Sequence, residues 1–132
     1  MKKVLLIDDD PIANAINKKI IEKKYSCRVT AFTDAVDALV QLKAWSVYET
    51  TAFPVVIFVD INMPRMNGWQ FLDEFQKLPP ALLQPCTVFL LTSSTDADDM
   101  QKSRTYHCVQ DFISKPLTND KLEPLSQLAS LP

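Results

Sequence analysis

The chain has 132 residues, 47% of them apolar, and a formal net charge of −2 at pH 7. That length suits a single domain with its own core, read here as one unit over residues 1–132 with no output domain, and the balanced charge argues against a nucleic-acid surface or a basic membrane patch. With Gly68 as the only glycine, the phosphate-cradling loops G-x-x-x-x-G-K-[ST] and G-x-G-x-x-G cannot be written.

In chain order, "KVLLID" (3–8) reads as a buried strand. Its apolar run is too short for a membrane span or signal peptide, so a cytoplasmic protein is expected. Asp10 and Pro11 open a helix as cap and first helical residue. Ile12, Ile16 and Ile20 recur every four residues and predict its apolar face. "RVTAF" (28–32) is a second strand. Asp34 caps the next helix, with Ala35, Ala38, Leu39 and Leu42 as its inward stripe. A loose connection leads to the third strand, "VVIFVD" (55–60).

The next helix starts near Gly68, where the lone glycine permits the turn, and buries Leu72 and Phe75. "LPPALLQP" is a proline-punctuated connection with room for one helical turn. "TVFLLT" (87–92) is the fourth strand, and a polar helix follows around 98–106. "DFIS" (111–114) is the fifth strand. A last helix lies within 118–129, with Leu122, Leu125 and Leu128 inward and Pro124 starting or kinking it.

Alternating strands and helices, with strands that are continuous apolar runs, predict a doubly wound α/β domain: a parallel sheet covered on both faces. In such a sheet every strand ends on the same edge, where ligands bind at the topological switch point. The first strand ends in Asp8-Asp9-Asp10, the third in Asp60, the fourth in Thr92-Ser93-Ser94 and the fifth in Ser114-Lys115-Pro116. Taken singly, an aspartate run before proline is an ordinary cap, and a strand-end aspartate an ordinary loop start. Taken together, they put carboxylates, a hydroxyl and an ammonium in one pocket. Crowded carboxylates need a compensating cation, and an all-oxygen set suits Mg²⁺. Asp60 could then attack phosphorus, with Lys115 and Thr92 meeting the phosphoryl oxygens. The three cysteines (Cys27, Cys86, Cys108) are widely spaced and the only histidine is His107, so reduced thiols are expected rather than a zinc site.

The motifs "LLIDDDP", "FVDINMPRMNGW", "FLLTSS" and "DFISKPL", in this order over nearly the whole chain, resemble the response-regulator receiver domains of two-component signalling, of the stand-alone chemotaxis-regulator type. The resemblance implies a flavodoxin-like (βα)5 fold with strand order 2-1-3-4-5. It implies that Asp60 is the phospho-acceptor and that Mg²⁺ is held by Asp8, Asp9, Asp60 and the backbone carbonyl of Asn62. Thr92 would be the switch hydroxyl, Lys115 the phosphoryl-binding lysine and Phe112 the aromatic that turns with the switch. The Lys115–Pro116 bond would be cis, and Asn62 and Ser94 would influence hydrolysis. The implied partners are a sensor histidine kinase or histidine phosphotransfer protein, and a downstream protein docking on the helix 4–strand 5–helix 5 face. Nucleic acid and membrane are not implied.

This makes the chain a signalling phospho-acceptor rather than an enzyme with a turnover substrate. Two other readings are open. A D-x-D-x-T phosphatase would use Asp8 and Asp10, but Ile12 stands where its threonine belongs. A non-phosphorylated relic would bind partners constitutively. Departures from the family pattern gather before strand five, where Cys108 takes the place of the usual glycine.

Overall fold

The computed structural model describes residues 2–93 and 97–124. Five parallel strands form one sheet in the order β2-β1-β3-β4-β5. They are β1 (Lys2–Ile7), β2 (Cys27–Phe32), β3 (Val56–Asp60), β4 (Thr87–Thr92) and β5 (Val109–Ser114). The helices are α1 (Pro11–Lys24), α2 (Ala35–Tyr48), α3 (Gly68–Phe75), α4 (Pro80–Leu83), α5 (Ala97–Ser103) and α6 (Asn119–Leu122). The doubly wound fold and its strand order are as expected. The helical turn foreseen in the proline-rich connection is α4, so the fourth and fifth helices of the simple (βα)5 count are α5 and α6. Leu125 and Leu128 lie outside the described residues.

Side-chain alternation along the strands sorts the core into two halves. Leu5, Ile7, Ile57, Val59, Val88 and Leu90 pack against α2 and α3. Val4, Leu6, Val56, Phe58, Phe89 and Leu91 face Ile21, Leu117 and Leu122 on the other side. All five β3 residues are buried, as a central strand covered on both faces requires. Among the described residues no helix is long and apolar enough to cross a membrane.

Helix starts follow the local signals. The Asp10 carboxylate accepts from the Ile12 amide at 2.9 Å, and Asp34 accepts from Val36 at 2.7 Å. At α3, Asn67 and Gln70 form a reciprocal capping box. Strand five is longer than "DFIS" and its pairing with β4 shifts register after Val88.

The expected face of α1 is overturned at Ile12 and Ile16, while Ile20 is partly buried against the core. Ile12 is 69% exposed and Ile16 53%, whereas Asn14, Asn17 and Ile21 are buried. Both stripes have helical spacing, so periodicity alone could not choose between them. The choice is made by the Asn14 amide, whose bonds to two strand-end carbonyls turn the asparagine face inward.

The reason for Gly68 also differs from the one expected. Its φ is not in the left-handed region. What glycine permits is contact: a Cβ there would lie 2.7 Å from the Asp60 carbonyl oxygen and 2.9 Å from the Ile61 Cα. The absence of a side chain lets the start of α3 press directly against the end of β3.

Candidate functional site

Strand order reverses between β1 and β3, and their carboxyl ends carry Asp8 and Asp60. Asp8 is 0% exposed and Asp60 4%, while Asp9 is exposed. Lys115, just past β5, reaches across the pocket. Its Nζ donates to Asp60 Oδ2 at 2.7 Å and lies 2.8 Å from Asp8 Oδ2. That contact with Asp8 is an ion pair without hydrogen-bond geometry, so Asp8 Oδ2 is buried with no hydrogen bond.

The other carboxylate oxygens are held by the backbone. Asp60 Oδ1 accepts from the Asn62 amide at 3.1 Å, and Asp8 Oδ1 from the Asp10 amide at 3.0 Å. Burial pushes the Asp60 carboxyl above its ordinary value, and Asp8 adds repulsion; Lys115 and the Asn62 amide oppose the rise. At Lys115 burial works against the charge. Its hydrogen bond to Asp60 and its ion pair with Asp8 outweigh that and hold the ammonium above its usual value.

Asp8, Asp9 and Asp60 each offer an oxygen within 4.8 Å of the others. Three carboxylates therefore face one ammonium, an excess of negative charge that a divalent cation would balance. The all-oxygen set and the hydrogen-bond-free Asp8 Oδ2 fit a hard cation.

The remaining expected residues fall around this centre. Thr92 is fully buried at the end of β4, and its carbonyl accepts from the Lys115 amide at 2.7 Å. The Lys115–Pro116 bond is cis. Asn62 is exposed on the loop after β3. Phe112 is half-buried on β5 and packs against the α2–α3 half of the core. Ser94 lies outside the described residues. Two features at the rim escaped the sequence reading. Arg65, with φ 67°, pairs with Asp34 at 2.9 Å and so ties the loop after β3 to the start of α2. Asn14 binds the backbone of Asp8. Only its helical spacing with Asn17 and Ile21 could have signalled it.

A five-stranded parallel sheet in this order, with an acidic switch-point pocket bridged by a lysine, is the flavodoxin-like architecture of chemotaxis-regulator-like domains. The response regulator receiver domain family matches residues 4–126, and the chain belongs to it. A response regulatory protein of Staphylococcus epidermidis is 32% identical over 125 residues; the match covers 93% of this chain but only 44% of that protein. Protein PilG of Pseudomonas aeruginosa is 28% identical, with coverage of 91% and 81%. Among solved structures, a two-component response regulator from Cytophaga hutchinsonii superposes with a TM-score of 0.87 at 34% identity, covering 98% of this chain and 97% of that one. The chemotaxis protein CheY4 of Vibrio cholerae, at 23% identity, shares the fold with a TM-score of 0.77 and coverage of 98% of both chains.

Proposed function

We propose that this chain is a phosphorylation-controlled signalling module in which Asp60 accepts a phosphoryl group from a phosphohistidine of a sensor histidine kinase or phosphotransfer protein. An Asp60 oxygen forms the new O–P bond, the N–P bond breaks, and the imidazole leaves with a proton. The observation that carries this reading is the Lys115 ammonium bridging Asp60 and Asp8 at the switch point. It neutralises the acceptor beforehand and stands ready for the oxygens of the incoming group.

Asp8, Asp9, Asp60 and the Asn62 carbonyl would hold Mg²⁺, which when bound would neutralise phosphoryl oxygens. The Asp10 carboxylate caps α1 through Oδ1, and Ile12 stands where a D-x-D-x-T phosphatase needs its threonine, which favours the phospho-acceptor reading. Thr92 and Phe112 supply the switch, and Asn62 and Ser94 influence hydrolysis. The signal leaves through protein contact on the α5–β5–α6 face or by onward phosphotransfer. A cleft of about 180 Å³ between α5 and β5, lined by Met100, Arg104, Asp111 and Phe112, supports that output surface. In this reading the protein works in the cytoplasm and has no turnover substrate.

Incubation with acetyl phosphate and Mg²⁺ should raise the mass by one phosphoryl group, and Asp60→Asn should abolish the gain. An unchanged wild-type mass, or a gain that survives Asp60→Asn, overturns the assignment.

A further inference from the structure

Asn14 sits in the second turn of α1 and is 4% exposed. Its Nδ2 donates to the Asp8 carbonyl at 2.9 Å and to the Phe32 carbonyl at 3.1 Å. Both acceptors are carbonyls, so the amide orientation follows from its neighbours. The Phe32 carbonyl already accepts from the Asp8 amide at 3.1 Å. Both backbone groups of Asp8 are therefore bound, its N–H by β2 and its C=O by α1.

The anchoring continues around a closed ring. Asp8 Oδ1 accepts from the Asp10 amide, the Asp10 carbonyl accepts from the Asn14 amide at 3.0 Å, and the Asn14 side chain returns to Asp8. Asp9 lies inside that ring, exposed, between two residues whose backbone cannot turn freely. With the Asp8 carbonyl held, the planar peptide between Asp8 and Asp9 is held too. The direction in which Asp9 leaves the loop is thus set from the second turn of α1.

Packing alone does not explain this residue. Asn14 Oδ1 is buried with no hydrogen-bond partner, a desolvation cost that an apolar side chain would avoid. A leucine would complete an ordinary inward stripe with Ile21. What a leucine lacks is the amide that joins the ends of β1 and β2.

We propose that Asn14 is a positioning residue for the cation site, holding the Asp8–Asp9 backbone so that both carboxylates converge with Asp60. This rests on the functional reading above. Metal sites depend on such outer partners, which restrict the ligands before the ion arrives.

Calorimetric titration of the whole chain with Mg²⁺ tests it, at a temperature where every variant is folded by circular dichroism. Asn14→Leu keeps the branching at Cγ with a larger side chain and Asn14→Ala relieves any crowding; both remove the donor. Each should bind Mg²⁺ about 10-fold more weakly than wild type. Their phosphorylation by acetyl phosphate should be slow at low Mg²⁺ and approach the wild-type rate at saturation. Ile21→Ala, a core truncation on the same helix, should lower stability and leave Mg²⁺ affinity unchanged.

Wild-type affinity in whichever Asn14 variant folds overturns the inference, as does equal weakening by Ile21→Ala. A wild-type protein that binds no Mg²⁺ and takes no phosphoryl group overturns the functional reading instead.

Discussion

At the C-terminal edge of the sheet, β1, β3 and β5 run out into Asp8, Asp60 and Lys115, and the chain buries charge there. At the opposite edge the same sheet begins among Phe53, Cys86 and the end of α3. There Phe53 and Phe75 stack with centroids 6.4 Å apart. Burial pushes the Cys86 thiol up to about 12, which makes it an inert packing group. One edge is closed by apolar packing; the other carries more negative than positive charge. Stability gained at the packed edge supports the crowded carboxylates at the other, the usual relation between core and site.

Substitutions at each edge should separate these roles. Phe75 is fully buried, and Phe75→Ala should cost about 3–5 kcal/mol in denaturant unfolding. The phosphorylation rate per folded molecule should not change, and a large change would break the division between the edges. Lys115→Met should do the reverse, slowing phosphoryl uptake about 10²–10³-fold, as loss of a preorganised charge partner does. The readout is the time course of mass gain with acetyl phosphate.

Gly68→Ala tests the junction between scaffold and site. The added Cβ meets backbone of Asp60 and Ile61, not a flexible side chain. The variant should lose about 1–3 kcal/mol and also take up phosphoryl more slowly, because relief requires the Asp60 backbone to move.

The smallest effect is expected on the flank, where Tyr106 stacks on Trp69 and donates to Asp73 at 2.9 Å. Tyr106→Phe should cost about 1 kcal/mol and leave phosphorylation unchanged. Burial and the Asp73 bond raise this phenol from 10.0 to about 12. Its contribution is therefore complete below pH 10 and is lost as the pH rises through about 12, because the unfolded phenol ionises first. The variant should lack that part of the alkaline loss of stability, measured by denaturant titration at each pH.

Much of the site could be read before any coordinates. Asp8, Asp60 and Thr92 each stand at the end of an apolar run and Lys115 just past the short fifth strand, and parallel topology gathers such ends on one edge. The caps Asp10 and Asp34 were legible because capping uses residues adjacent in sequence. Helix α2 was legible too, because its apolar stripe is unambiguous. Arg65 and Asn14 were not, since each is defined by a partner far along the chain: Asp34 for the first, Phe32 for the second.

By itself, then, the sequence determined the order of elements, the caps and the charged strand ends, all of which follow from short-range periodicity and turn chemistry. Tertiary structure alone decided which face of α1 turns inward and why the one glycine stands at residue 68. Both were settled by backbone atoms of neighbouring elements: carbonyls that demand a donor from α1, and a strand end that leaves no room for a Cβ.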